Sequence, residues 1–564
     1  MNLTELVKSI TRREWLVVAA VALVLTLLTS FPPLYGWLVG LSRGQEWNGL
    51  QFFSPGDFGV YLSYINQARG GAFFLDNIFA VGEPTVPVVN LLWWSVGLLA
   101  RLTSLGPVAA FYVARSLSVL PLAAACYLAV SFFLRRRTER LVAFLLLMFG
   151  SGWGALAAPF LNETGPSISW PIDLWVPESN LFASQIYSPH FVVSWTLLIL
   201  SMLLLAVAYE SGRSRYGLLA GLVALLLFEF HPFHAPTLYA AGFFGWLTLA
   251  AFRRDGAVWR RLTAFVLFVA VSFPAVAYHY LLLNGDGRLT REIAAANVTL
   301  TPGWPYVLLG FGLPLILAPV GLFLCRRNGS PRLAGLLAVW ALSHLVLSYL
   351  PFSFQRRFLE GAEFPLVILA VPVVVLAVGR LIKTIRMFGR SIVPAIGLFL
   401  FLFLFLLSAF ASSIDIYASI LQPYRHGSFP NAFFSSDEST VLDWIRENTS
   451  DDASFIGSGV SGYLIAGWTG RRVLFGHWVN SGDMERRQSE IEEFFGRSDE
   501  AERVEFMQSL GLTHIFVGTR ERAAAGGEFV IGRSFRQVYA SGGFEVYELG
   551  PDFGFQPLEA EKIE

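Results

Sequence analysis

Long apolar stretches separated by short polar connectors dominate the first 413 residues. A helix that crosses a bilayer needs about 20 predominantly apolar residues. Eleven stretches are read as such helices, near 14–31, 107–134, 141–160, 189–209, 216–231, 235–252, 261–283, 304–324, 333–353, 364–381 and 391–413. The fifth is short, and "FEFHPFH" (228–234) forms a proline-containing turn between it and the sixth. A further apolar run, "VVNLLWWSVGLLARLTSL" (88–105), is expected to lie in the outer interface with Trp93 and Trp94 at headgroup level. After residue 413 the pattern changes. "SSDESTVLDWIRENTS" reads as a capped amphipathic helix, "GDMERRQSEIEEFFG" and "DEAERVEFMQSLG" as helices, and "ASFIGSG", "RRVLFG" and "THIFVG" as short strands. Helices alternating with short strands predict a sheet covered by helices.

The expected fold class is therefore mainly α: a polytopic helix bundle over 1–413 with a large first outer loop (32–106), followed by an extracytoplasmic α/β domain over 414–564. The basic connectors set the orientation. Lys8, Arg12 and Arg13 precede the first span, "RRRTER" (135–140) follows the second, and further clusters lie at 253–254, 325–332 and 380–390. With the N-terminus cytoplasmic and eleven crossings, these clusters face the cytoplasm and the tail faces outward. The expectation is a multi-pass protein of the plasma membrane.

Composition agrees. Charged residues make up 15% of the chain, against about 25% in a soluble protein. The 41 basic and 41 acidic residues balance, which argues against nucleic acid as a partner. The two cysteines, Cys126 and Cys325, sit in or beside apolar segments, so neither a disulfide framework nor zinc-finger spacing is present. "TRREWL" (11–16) resembles a twin-arginine signal, but the apolar run after it lacks a small-residue cleavage site and reads as an uncleaved anchor.

The candidate chemistry collects on the outer side. Asp57, Asp173, Glu178 and Glu229 face it, as do all eight histidines. Ionisable groups at or in the membrane are costly and mark functional candidates. His231 and His234 stand three apart in "HPFH", as a metal pair or as a hydrogen-bonded turn; Glu229, beside them, is a site acid or a side chain that snorkels to the interface. Arg356 and Arg357 lie outside, against the positive-inside trend, and call for an anionic partner: a phosphate, or Glu360 and Glu363. "SPGDFGVYLSYINQARGG" (54–71) begins like a helix, with Ser54 as cap, Pro55 at the first position and Asp57 in the first turn. Asp57 can cap the helix and also serve as an ionised acid that orients or deprotonates an acceptor hydroxyl. Tyr61 and Tyr64 follow on the same face, either lining a sugar site or packing.

These features resemble the GT-C superfamily of integral-membrane glycosyltransferases, which includes protein O-mannosyltransferases and bacterial aminoarabinose transferases. The resemblance is carried by "GDFGVYLSYINQARGG" (56–71), "PIDLWVPESN" (171–180), "QRRFLEGAEFPL" (355–366) and, in the tail, "LFGHWVNSGDMERRQSEIEEFF" and "LGLTHIFVGTRERA". It implies transfer of a sugar from a polyprenyl-phosphate carrier to a glycan, lipid or protein acceptor on the outer side, with inversion. Asp57 would then be the base or acceptor-orienting acid, Asp173 or Glu178 a second acid, and Arg356 and Arg357 the holders of the departing phosphate. No cofactor is identified. The second loop has no Asp-x-Asp or adjacent Asp-Glu pair, so a divalent metal finds no clustered oxygen ligands in the sequence. Two rivals stand beside this reading: a non-catalytic lipid-carrier-binding protein on the same scaffold, and a transporter or flippase, against which the lack of an internal repeat counts.

Overall fold

A computed structural model describes residues 2–50, 55–161, 169–252, 256–285, 287–328, 333–387, 392–496, 499–527 and 529–550. Ser54, proposed as a helix cap, and parts of the basic connectors, at 253–254, 329–332 and 388–390, lie outside the described residues. Each of the eleven expected apolar segments falls largely on helix, although 333–353 is helical only over Ala334–Leu347 and 141–160 breaks after Phe149. Among the described residues eight helices are long and apolar enough to cross a membrane. A ninth span is formed if Arg137–Phe149 and Gly154–Phe160, bent by 60°, count together. Two expected spans fall short: Arg215–Phe230 has 16 residues and Ala334–Leu347 has 14. At the helical rise they reach about 24 and 21 Å, less than the ~30 Å hydrocarbon core.

The chain forms two compact units. The first comprises residues 1–34, 112–281 and 298–426 and contains the apolar bundle. Its helices pack in pairs: Pro189–Ser211 on Arg215–Phe230, His234–Phe252 on Ala334–Leu347, and Trp304–Asn328 on Glu363–Met387. The first of these is almost wholly buried; Pro189 opens it, and Gly212, at φ +65°, closes it in the left-handed conformation. Buried cations in this unit end on backbone carbonyls. The Arg115 guanidinium donates to the Ile186 and Thr29 carbonyls, and Arg261 Nε donates to the Tyr209 carbonyl at 2.8 Å.

The second unit comprises residues 35–111, 282–297 and 427–564, so the first loop and the tail fold together. Its five-stranded sheet runs in the order Arg472–Val473, Ser454–Ile456, His514–Val517, Phe544–Leu549, Phe535–Ser541. The first three strands are parallel and the last two antiparallel, with Phe455 opposite His514 and Ile515 opposite Tyr547. Alternation along the strands feeds two cores. Phe455, Phe516 and Val546 face the helix Ser436–Asn448 through Val441, Leu442 and Ile445, together with Ile78 and Phe79 of the first loop. Ile456, Ile515 and Val517 face the helices Met484–Gly496 and Glu500–Leu510 through Ile491, Phe494 and Met507. The three strands and three helices expected in the tail are all present, and the hairpin 535–549 extends the sheet.

The first loop is fastened to this α/β core in three ways. Strand Glu46–Trp47 pairs with Phe433–Phe434. Asp76 pairs with Arg472 at 2.6 Å, and Glu83 with the fully buried Arg487 at 3.2 Å. The helix Pro55–Gly70 docks by close backbone approach: Gly59 N donates to the Tyr463 hydroxyl at 2.8 Å, and a Cβ at Gly59 would lie 2.4 Å from the Tyr463 ring. The apolar run expected in the interface forms the helix Leu91–Thr103, capped by Asn90, whose side chain accepts from Trp93 N at 3.1 Å; Trp93, expected at headgroup level, is instead buried against Tyr61 and Phe111.

Gly59→Val is expected to destabilise the protein by about 1–3 kcal/mol through overpacking, lowering the apparent melting temperature of detergent-solubilised protein in a fluorescence thermal scan. Gly70→Ala, whose Cβ would meet nothing within 4 Å, should leave it unchanged. Equal melting temperatures for Gly59→Val and wild type would contradict the docking.

Candidate functional site

In the second unit, Pro55–Gly70 places Asp57 in its first turn, half exposed, where the helix dipole favours an ionised carboxylate. His477, in the loop after strand Arg472–Val473, faces it with Nε2 3.8 Å from Asp57 Oδ1. That separation is an electrostatic approach, too long for a hydrogen bond. The His477 ring is fixed from its other side: Nδ1 accepts from Val479 N at 3.2 Å and Asn480 N at 3.1 Å. These two bonds assign the ring proton to Nε2, the atom that points to the acid. Ser481 Oγ in turn accepts from Gly476 N and His477 N at 3.1 Å each. Gly56 and Gly476, the chain neighbours of this pair, border a cavity of about 710 Å³ lined by Phe429, Tyr463, Phe475, Asn431 and Gln488 among others. The exposed Trp478 indole lies beside Gly56, whose added Cβ would meet Trp478 Nε1 at 3.4 Å.

Tyr61 and Tyr64 follow the packing alternative. Tyr61 stacks on Trp93 with centroids 4.5 Å apart, and Tyr64 packs against the core that contains Phe455. Burial and the nearby Asp76 charge push the Tyr64 hydroxyl up to about 12.

The first unit holds the remaining candidates. The two second-loop acids part company. Asp173, fully buried, accepts from Gly154 N at 3.1 Å, at the start of the short helix Gly154–Ala157. Burial raises it to about 7 against the opposing hydrogen bonds of Ser412 and Gly154. Glu178 instead shares its surroundings with Arg356: the Tyr187 hydroxyl is held well above its usual range by burial and by the Glu178 charge, with Arg356 opposing. The Arg356 guanidinium lies over Trp175 at 4.8 Å and that of Arg357 over Phe233 at 4.7 Å. Arg356 N donates to the Thr299 carbonyl at 2.9 Å, which anchors the loop, while its buried Nε meets no hydrogen-bond acceptor among the described residues. Glu360 and Glu363, the alternative partners of these arginines, have other contacts: Glu363 accepts from Leu181 N at 2.8 Å, and Glu360 faces the histidines.

His231 and His234, at the turn between Arg215–Phe230 and His234–Phe252, converge on Glu360 and on Ser194 of Pro189–Ser211. All four are buried. Gly361, at φ +106°, turns the chain directly after Glu360, and its Cβ would press on the His344 ring at 2.7 Å. Burial first, then the charges of His234, His190 and Arg357, push His231 well below its usual range. Glu229 presents its backbone carbonyl to His279 Nε2 at 2.7 Å, with its side chain half-buried. Reasoning from the sequence did not select His477, Glu360 or Ser194 as site residues. Glu360 stands inside the quoted "QRRFLEGAEFPL" and His477 inside "LFGHWVNSG", so the signal available was motif membership without a partner.

No protein-family model matches the sequence, and no curated protein matches it. Solved structures do. The Archaeoglobus fulgidus oligosaccharyltransferase, solved tethered with an acceptor peptide containing the NVT sequon, aligns at a TM-score of 0.50 and 12% identity over 90% of this chain and 69% of that one. The mycobacterial arabinofuranosyltransferase AftD aligns at 0.48 and 13% over 96% and 40%, and ArnT from Cupriavidus metallidurans at 0.47 and 13% over 94% and 98%. At such identities the likeness is one of fold. The chain has the GT-C fold and is a multi-pass membrane protein.

Asp173 yields a pH prediction. Its folded value of about 7 lies above the unfolded value of about 3.9, so the folded state holds the proton more tightly. That contribution is complete below about pH 4 and is lost as pH rises through 7. The apparent melting temperature should therefore fall between about pH 5 and 8, and Asp173→Asn, neutral throughout, should flatten the fall. An unchanged slope in the variant would assign the titration to another group.

Proposed function

We propose that the protein transfers a sugar from a polyprenyl-phosphate donor to an acceptor on the extracytoplasmic side of the plasma membrane, with the N-terminus cytoplasmic and the α/β tail outside. The observation that carries this reading is the Asp57–His477 pair: a half-exposed carboxylate on a helix N-terminus, faced by a fixed imidazole N–H at 3.8 Å, beside a cavity. The GT-C fold supports it at the level of architecture. The archaeal oligosaccharyltransferase of like fold was solved tethered with an acceptor peptide, and an acceptor site on this scaffold is the corresponding expectation here.

Transfer from an activated phosphate needs a base for the acceptor hydroxyl and charge stabilisation for the leaving group. In the proposed step Asp57 takes the acceptor proton, the acceptor oxygen bonds the anomeric carbon from the face opposite the phosphate, and the carbon–oxygen bond to the phosphate breaks. The configuration inverts, and the polyprenyl phosphate leaves with the electron pair. Before the step the helix dipole favours the ionised Asp57 carboxylate, and His477 Nε2 faces it at 3.8 Å. The exposed Trp478 offers an apolar ring face to a sugar. Arg356 and Arg357 are assigned to the phosphate, whose oxygens suit a planar guanidinium fork; the two guanidinium groups lie over Trp175 and Phe233. Each assignment rests on geometry within its own unit.

The test is transfer of radiolabelled sugar from polyprenyl-phosphate sugars to cell-envelope acceptors by protein reconstituted in vesicles. Asp57→Asn should lower the rate by about 10²–10⁴-fold, the span of a lost general base, with unaltered gel-filtration behaviour. Arg356→Ala and Arg357→Ala should weaken binding of polyprenyl phosphate itself. A full rate in Asp57→Asn would remove the base role, and no transfer by wild type to any envelope fraction would favour a lipid-carrier-binding protein.

A further inference from the structure

Four buried side chains in the first unit meet at one point. Ser194 Oγ lies 3.0 Å from His231 Nδ1, 2.8 Å from His234 Nε2 and 2.6 Å from Glu360 Oε1. His234 Nε2 and His231 Nδ1 are 3.2 Å apart, and Glu360 Oε2 stands 3.4 Å from the former and 3.7 Å from the latter. Nothing in this part of the chain is a surface acidic cluster: Glu360 and Ser194 are fully buried, and both imidazoles nearly so.

As a hydrogen-bonded knot the arrangement is incomplete. Ser194 has a single proton and gives it to Glu360 Oε1. Glu360 Oε2, buried and aimed at the two ring nitrogens, has no hydrogen-bond partner among the described residues. A buried carboxylate oxygen left so is costly. The same three atoms have the spacing of a metal shell. Zinc holds nitrogen at about 2.0–2.1 Å and carboxylate oxygen at about 2.0–2.2 Å in a tetrahedron, which sets neighbouring ligand atoms about 3.3–3.6 Å apart. The observed separations of 3.2, 3.4 and 3.7 Å bracket that edge. Imidazole nitrogen suits zinc among the common divalent ions, and two such donors argue against magnesium or calcium.

We infer that His231 Nδ1, His234 Nε2 and Glu360 Oε2 form a divalent transition-metal site of zinc type, with the Ser194 hydroxyl or a water as the fourth ligand. On loading, the two imidazole protons reside on the outer nitrogens, His231 Nε2 and His234 Nδ1. The ion ties the turn 231–234 and the helix Pro189–Ser211 to the loop that carries Arg356 and Arg357, so its role is to position that loop. This inference does not depend on glycosyl transfer, and its readout is metal content.

The full chain, purified in detergent without chelator or affinity nickel, is stripped with a chelator, incubated with Zn²⁺ alone, dialysed and measured by plasma mass spectrometry. About one zinc per chain is expected in wild type, lost in Glu360→Gln and in the double variant His231→Asn/His234→Asn, and kept in Asp57→Asn. A wild-type chain that stays folded and holds no stoichiometric zinc would overturn the site, as would variants that retain it. Should the variants misfold, Co²⁺ loading of wild type decides: the intense visible bands of tetrahedral cobalt support the site, and weak octahedral bands or none reject it.

Discussion

Hydrocarbon cannot satisfy a polar group, so every buried donor and acceptor in the bundle has to find its partner within the protein. The rest of the architecture follows from that constraint. Buried cations end on backbone carbonyls: Arg115 on Ile186 and Thr29, Arg261 on Tyr209. At the N-terminal end Glu14 gathers Thr11 Oγ1 at 2.7 Å, the Tyr127 hydroxyl at 2.8 Å and Arg140 at 3.4 Å. The candidate acids and imidazoles Asp173, Glu178, His231, His234 and Glu360 lie where long helices stop, at the turn 231–234 and the loops 171–180 and 355–363, where side chains from several elements can converge. The same places that are cheapest for polar groups are thus the ones able to build a site.

The second unit solves a different problem. The first loop packs its two helices, Pro55–Gly70 and Leu91–Thr103, on each other. It joins the tail's core by lending Ile78 and Phe79 to the sheet and by laying Gly59 against Tyr463 and Gly467. A side chain at Gly59 would separate those surfaces, so the small residue is a condition for bringing the first turn of the helix, and with it Asp57, to His477. This close approach of backbone to ring works beside the strand pairing and the two ion pairs that fasten the first loop to the tail.

This division explains what the sequence disclosed. Apolar length marks helices locally, so all eleven segments were legible, although Arg215–Phe230 and Ala334–Leu347 proved too short to span alone. Capping and strand signals are also local, and the tail's helices and first three strands were read from them. Asp57 was legible because a helix start announces itself. Convergence is not local. His477 meets Asp57, and Glu360 meets His231 and His234, across long stretches of chain, and no periodicity encodes such meetings. Residue type left the tyrosines after Asp57 open between a sugar site and packing, and only the structure shows Tyr61 stacked on Trp93 and Tyr64 packed against the core.

The second-loop acids show how burial separates residues that a motif leaves equivalent. Asp173 and Glu178 stand five positions apart in "PIDLWVPESN", and both are buried. Asp173 has its amide partner, Gly154 N, at a helix start, and burial raises its carboxyl to about 7. Glu178 lies instead among Tyr187, Arg356 and Glu360. Of the two acids, the geometry therefore favours Glu178 as the one that belongs with the arginine loop.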